Sequence, residues 1–294
     1  MNLTNKQKGL GLSFFGVLLI TPDSLFIRLI NLSTWELVFY RGLVPFICLF
    51  LFLIFFYKKN FFKACIIVGI PGIFYAILIA LGNAAFIVSI ENTNVANTLI
   101  MISLTPFATA ILSSVFLKEH PNKQMWLTIL SCFFVVLFIF YDSYESNRLL
   151  GDFFGLLTAM LVGGSAVVVR YAKKINFLPS LLLAKLFTMI IAILFLQSTP
   201  LLLNTDLKEI YLIVAMGIIC VFLPMTFITL APRYIPAYEV EIFFVLETIL
   251  GPIWVWLVIR EEPTIKTIIG GLVIIFIIMV HTFSELYKSN KDKV

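Results

Sequence analysis

Six charged side chains stand inside otherwise apolar stretches of this sequence: Asp23, Arg41, Lys185, Glu239, Glu241 and Glu247. A charge at the centre of a membrane helix is unfavourable by about 2.5–3.5 kcal/mol on insertion scales, so each must face a bundle interior or water and find a partner. Depth decides which can meet. Asp23 lies five residues from the outer end of one apolar run and Arg41 five residues from the outer end of the next, about 7.5 Å in each case at 1.5 Å per residue. They stand as an ion pair that braces or gates the outer side. Lys185 and Glu247 come seven and nine residues into their runs from the opposite side, within about one helical turn in height. They are the second candidate pair, read either as a bridge that fixes helix register or as groups that respond to cargo or protons.

Around Glu247 the spacing adds chemistry. Phe244, Glu247, Gly251 and Trp254 follow one another at steps of three, four and three, which puts a carboxylate, a gap and an aromatic wall on one helix face. Such a face suits a ligand with an amine or other cationic group, through ionic contact and a cation–π attraction of about 0.5–2 kcal/mol. It equally suits a desolvated carboxylate that exchanges a proton. Tyr75, Asn83 and Asn97 are uncharged polar groups that either line the same cavity or form interhelical hydrogen bonds. Glu239 and Glu241 follow Pro236 at the inner end of their run and read as boundary residues, with Glu239 a candidate inner-gate partner of Arg170 or Arg233.

No other chemistry competes. Cys48, Cys65, Cys132 and Cys220 lie in or beside apolar stretches, and neither they nor His120 and His281 fall at metal-ligand spacing. The expectation is no cofactor and no metal. A channel needs a polar pore-lining stripe or ring of like charge, and single carboxylates on different helices do not make one. The chain carries no P-loop or Gly-rich nucleotide fingerprint, so the sequence excludes ATP-driven transport by this chain alone.

The elements that must position these residues follow from composition. Of 294 residues, 61% are hydrophobic and 13% charged, against about 45–50% and about 25% in soluble domains. Ten apolar runs are expected, near 9–28, 36–57, 64–89, 94–117, 124–141, 152–171, 178–196, 210–231, 238–258 and 265–283. Each is close to the roughly 20 residues that span a bilayer, and the first, behind Lys6 and Lys8, reads as an uncleaved span because no small-residue cleavage site follows it. With a cytoplasmic N-terminus, fourteen of the 21 Lys and Arg residues fall inside, against five outside: Arg28, Arg148, Lys208, Arg260 and Lys266. That bias orients the chain N-in and C-in. The net charge of +5 therefore belongs to membrane topology, and no nucleic-acid partner is expected.

An internal repeat completes the frame. Leu117-Lys118-Glu119-His120-Pro121 and Ile259-Arg260-Glu261-Glu262-Pro263 match at an offset of 142 residues. Arg28 then Arg41 in the first half corresponds to Arg170 then Lys185 in the second. Five spans per half is an odd number, so the second copy is expected upside down, with a substrate site near the midplane between halves. Stripes of small residues, Gly72-Ala76-Ala80-Ala84 and Gly151-Gly155-Ala159-Gly163, predict close helix packing. Pro22, Pro71, Pro106, Pro224 and Pro252 mark candidate hinges.

The sequence resembles the EamA family of the drug/metabolite transporter superfamily. The resemblance rests on residues 247 to 271, from Glu-Thr-Ile-Leu-Gly-Pro through Ile259-Arg260-Glu261-Glu262-Pro263 to Ile-Gly-Gly, and on Leu104-Thr105-Pro106 with Leu117 to Pro121 in the first half. Pro22-Asp23-Ser24-Leu25, Arg41-Gly42-Leu43, Val95-Ala96-Asn97-Thr98 and Ala231-Pro232-Arg233-Tyr234-Ile235-Pro236-Ala237 extend it over nearly the whole chain. His120 and Lys118 depart from the commoner pattern, in a connection that holds no cavity residue. The resemblance implies a ten-helix carrier of amino acids or other small metabolites, often an exporter, whose central cavity opens alternately to each side.

Taken together, the expectation is an all-α integral membrane protein of ten helices, two inverted five-helix repeats at 1–150 and 151–294 around a central cavity, N-in and C-in. The function expected is secondary transport of a small polar or zwitterionic metabolite, amino acid or amine-like, with proton coupling through Glu247 as one form of it. The alternatives are a gradient-independent facilitator or exporter of drugs or metabolites and, from another class, a lipid-modifying membrane enzyme. Partners are the metabolite and membrane lipids, the assembly a monomer or weak homodimer, and the location the bacterial cytoplasmic membrane.

Overall fold

Every regular element among the described residues is a helix. The computed structural model describes residues 5–118, 123–145, 148–172, 175–196, 206–231, 234 and 237–291. His120, Arg233 and Pro236 lie outside them, as do the side chains of Cys132, Glu239, Glu241 and His281. In chain order the helices are α1 Asn5–Ile20, α2 Asp23–Leu29, α3 Thr34–Tyr57, α4 Phe61–Ile67, α5 Gly69–Asn92, α6 Val95–Ile102 and α7 Thr105–Phe116. There follow α8 Lys123–Glu145, α9 Leu149–Tyr171, α10 Leu178–Phe195, α11 Leu207–Ala215, α12 Leu223–Leu230, α13 Ala237–Ile259 and α14 Ile265–Lys291. A π-helical turn, Met216–Phe222, joins α11 to α12.

Seven helical segments are long and apolar enough to cross a bilayer: Gln7–Leu29, Thr34–Ile67, Gly69–Asn92, Val95–Phe116, Leu149–Tyr171, Leu178–Phe195 and Leu207–Leu230. Three shorter apolar helices, Trp126–Phe138, Leu246–Ile259 and Ile265–Ile277, accompany them. Proline accounts for most interruptions. Pro22 separates α1 from α2, while Pro106, Pro179 and Pro224 occupy the first turns of α7, α10 and α12, where no backbone N–H is missed. The run expected at 64–89 instead divides at Gly69, whose φ of +53° breaks the chain just ahead of Pro71, so residues 61–67 form a helix of their own.

The two copies of the repeated turn share one backbone feature at their second residue. Lys118 and Arg260, matched at the 142-residue offset, both adopt left-handed φ, 56° and 60°. Each follows the end of an apolar helix, α7 or α13, where a left-handed residue closes the last turn.

The helices pack largely across the two halves of the chain. α5 lies on α9 and α10, α3 on α10, α1 on α12 and α13, α6 on both α9 and α13, and α8 on α14. The small-residue stripes sit in these contacts, with Ala76, Ala80 and Ala159 wholly buried. At Gly151 an added Cβ would lie 2.6 Å from Thr93, and at Gly42 2.7 Å from Met189 and 3.0 Å from the Lys185 carbonyl, so glycine sets both approaches. Chain direction can be read from two bonds. Asn176, just ahead of α10, donates to Tyr57 at the end of α3 at 2.5 Å. The Val95 N–H that begins α6 donates to Glu261, just past α13, at 2.9 Å. Both α3 with α10 and α6 with α13 therefore run antiparallel.

Candidate functional site

The break at Thr21 and Pro22 makes Asp23 the first residue of α2, at 1% exposure, where the helix dipole favours a carboxylate. α3 starts on a reciprocal cap, Ser33 N–H donating to Glu36 at 3.0 Å, and carries Arg41 inward to 3% exposure. Arg41 Nη1 donates to Asp23 Oδ1 at 2.5 Å, and the guanidinium carbon stands 5.1 Å from the Phe86 ring centroid. Lys185 on α10 and Glu247 on α13 are also buried, at 1% and 9%. The charges of Asp23 and Arg41 act on both. One centre thus collects two cations and two anions from four helices, where depth along each span alone suggested two separate pairs.

The bonding inside this centre is incomplete. Among the described residues no salt bridge links Lys185 to Glu247; the bridges formed are Arg41 to Asp23 and Arg28 to Glu261. Lys185 Nζ, Arg41 Nε and Asp23 Oδ2 are buried without a hydrogen-bond partner. Roughly 90% of buried polar groups in proteins are bonded, so unmet groups gathered at one place need an explanation. Groups arranged for a visiting ligand provide one.

The remaining sequence candidates divide by location. The Glu247 face turns toward the α1–α2 break: Trp254 Nε1 donates to Thr21 Oγ1 at 3.1 Å, and Gly251 lies against Leu99 of α6 and the Thr21 carbonyl. Trp254 keeps 40% of its surface exposed. Phe244 packs with Leu10, Leu12, Ile228 and Ala231. Tyr75 belongs to an apolar cluster, its ring 5.1 Å from that of Phe177, and Asn83 is half-buried on α5. Glu239 has its side chain outside those described. Asn97 joins a different assembly.

That assembly closes one end of the bundle, and sequence reasoning missed its key members. Asp152, fully buried in the first turn of α9, accepts from Thr93 Oγ1 at 2.6 Å and from Asn97 Nδ2 at 3.2 Å. Asn97 in turn accepts from Thr267 of α14 at 2.7 Å. Arg28, at the end of α2, donates to the Thr93 carbonyl at 2.8 Å and reaches Glu261 at 3.0 Å. Ser89 donates to the Gly151 carbonyl at 2.7 Å. A shallow crevice lies here, lined by Asn94, Ala96, Pro252, Val255 and Glu261 among others. The repeat motif had marked Glu261 and the outside count Arg28, but Asp152 stands at a run's edge, where a charge reads as an ordinary boundary. No group of three or more His, Cys, Asp or Glu arranged for a metal occurs among the described residues.

Apolar helices packed in this way around a buried ionic centre define a multi-pass membrane transporter. The chain belongs to the EamA-like transporter family, whose model matches residues 7–141 and again 149–283. It is similar to the uncharacterized transporter YdfC of Bacillus subtilis, 25% identical over 239 residues that cover 78% of this chain and 73% of that protein. It is also similar to the pseudopaline exporter CntI of Pseudomonas aeruginosa, 24% identical over 211 residues and 70% of each chain. One solved crystal structure shares the fold at a TM-score of 0.63 and 13% identity, covering 95% of this chain and 98% of its own.

Proposed function

We propose that the chain is a secondary carrier of a small zwitterionic metabolite, amino acid or amine-like, with Lys185 taking the carboxylate and Glu247 the amine. One observation carries the reading. Asp23 and Arg41 satisfy each other, while Lys185 and Glu247 are buried beside them with no bridge between them. The centre therefore offers one cation and one anion, and a zwitterion supplies the complement to both. Gln at 247 keeps the shape and removes the charge.

The transport cycle in this reading is alternating access between two inverted halves, 1–150 and 151–294, in a ten-span chain with both termini cytoplasmic. The repeated left-handed turns, the antiparallel α3/α10 and α6/α13 pairs and the double family match support it. Helices that pack on their own counterparts across a two-fold relation are the arrangement inverted repeats require. A Pseudomonas exporter among the relatives favours outward movement, and both bacterial relatives favour the cytoplasmic membrane.

The test is a thermal-shift screen of the purified protein against amino acids, quaternary amines and nucleoside-like metabolites. A ligand at 100 times its Kd adds about 2.7 kcal/mol of stability. Zwitterionic amino acids should stabilise the native protein, and Lys185→Met and Glu247→Gln should each remove that gain. Equal stabilisation of native protein and Glu247→Gln refutes the assignment of the amine. Flux driven by an imposed pH gradient should vanish in Glu247→Gln if the carboxylate couples to protons; gradient-dependent flux that persists in the variant removes that role.

A further inference from the structure

α2 is seven residues long and carries a functional charge at each end. Asp23 begins it and Arg28 lies in its last turn, about 7.5 Å apart along the axis at 1.5 Å per residue. The chain breaks on both sides: at Thr21 and Pro22 before the helix, and at Ile30, whose backbone is extended, after it. The helix is therefore a short piece set between two breaks in the helical backbone. Its first residue is held by Arg41 in the charge centre. Its last turn is held by Thr93 and Glu261 at the closed end.

The closed end is tied across the halves. Arg28 and Thr93 come from the first half, while Glu261 and Asp152 come from the second, and Glu261 also accepts the Val95 N–H at 2.9 Å. Any movement that opens this end must part Arg28 from Glu261. Those two side chains retain 24% and 20% of their surface, so water can replace their bond at modest expense. The charge centre below is dry by comparison, with Asp23 and Arg41 at 1% and 3%.

We propose that α2 is a strut through which the charge centre holds shut an outer lock formed by Arg28 and Glu261. When cargo enters the centre and draws on Arg41, Asp23 shifts, α2 turns at Thr21 and Pro22, and Arg28 leaves Glu261. Trp254, bonded to Thr21 Oγ1 at 3.1 Å, steadies the lower joint. Opening and binding are then one event, because the same helix touches both. This goes beyond the carrier reading and rests on it for the placement of Arg28 on the outer face and for the entry of cargo into the centre.

The test needs no cargo, so it is independent of the substrate assignment. Ala96, 7% exposed and lining the crevice beneath the lock, is replaced by Cys in a chain whose four native cysteines are changed to alanine. A membrane-impermeant maleimide is applied to right-side-out and to inside-out vesicles. Labelling from the outside should be slow in this background, and Arg28→Ala or Glu261→Gln should raise its rate about tenfold. Asp23→Asn, changed at the far end of the strut, should raise it as well. A background rate in Arg28→Ala overturns the lock, and a background rate in Asp23→Asn beside fast labelling in Arg28→Ala overturns the strut. Labelling that rises only from the cytoplasmic side places the lock on the wrong face and overturns it too. If Asp23→Asn does not yield monodisperse protein, Asp23→Glu replaces it: its carboxylate is one methylene longer and displaces α2, and an unchanged rate in that variant is equally fatal.

Discussion

The charge centre and the closed end differ in degree in how they handle buried polarity: at the closed end Arg28 Nε and Asn94 Nδ2 lack a hydrogen-bond partner, yet the carboxylates there are bonded. At the closed end Asp152 receives Thr93 and Asn97, Asn97 receives Thr267, and Glu261 receives Arg28 and Val95. In the centre Lys185 Nζ and Arg41 Nε donate to nothing and Asp23 Oδ2 accepts from nothing. A satisfied network specifies one arrangement and resists change, whereas an unsatisfied one keeps desolvation unfavourable until something arrives. The first ties the two halves of the chain together at one end. The second is the site proposed for the zwitterion.

The contrast breaks most visibly at the one satisfied bond of the centre. Asp23→Asn strands Arg41 as a lone buried cation, and loss of one partner of a buried pair typically destabilises by about 3–5 kcal/mol. The thermal unfolding temperature in detergent should fall accordingly, and less in the double variant Asp23→Asn/Arg41→Gln than in Asp23→Asn alone. Equal losses in single and double variants would mean that the pair is not coupled.

Lys185→Met sharpens the comparison from the other side. The ammonium has no partner to lose, so an apolar side chain of similar length should leave stability unchanged or raise it by about 1 kcal/mol, in the manner of active-site residues kept at the expense of stability. Uptake or efflux of a zwitterion should nevertheless fall at least tenfold, the weight of one charged hydrogen bond of about 1.5 kcal/mol. A large drop in unfolding temperature together with normal flux would make Lys185 a structural residue.

The smallest effect concerns the backbone of the repeated turns, in the second of which Arg260 immediately precedes Glu261. Lys118→Gly and Arg260→Gly each relieve a side chain held at φ near 60°, a conformation less favourable by about 1–2 kcal/mol for most residues. Part of that gain is offset by glycine's freedom in the unfolded chain, so each variant should unfold at a slightly higher temperature, with unchanged flux. Opposite responses from the two would show that the matched turns do different work.

Helix type and close helix packing were legible because they depend on composition and on small-residue spacing. Gly151 and Ala159 announce close contact in the sequence and lie in it in the fold. Pro22 marks a true break, whereas Pro252 sits inside α13, which continues on either side of it. The burial of Asp23, Arg41, Lys185 and Glu247 was more legible than their arrangement. Counting residues gives height along a helix but not the angle around the bundle, so Lys185 and Glu247 came out level yet unbridged, with Asp23 and Arg41 beside them. Tyr75, read from sequence as a cavity residue or an interhelical contact, has its ring 5.1 Å from that of Phe177. Asp152 was hidden because burial at a helix start comes from the neighbouring turn at Thr93, a tertiary fact that no local pattern records.

The Asp23–Arg41 pair also bears on how the chain enters the membrane during synthesis. These residues are 18 apart and belong to consecutive helical hairpin arms, so they leave the ribosome together and can partition into lipid as a neutral couple. Lys185 and Glu247 have no such companion nearby in the chain, and each faces an insertion penalty of about 2.5–3.5 kcal/mol alone. The N-terminal half is thus equipped to settle first and serve as the template on which the later helices become tolerable to the bilayer.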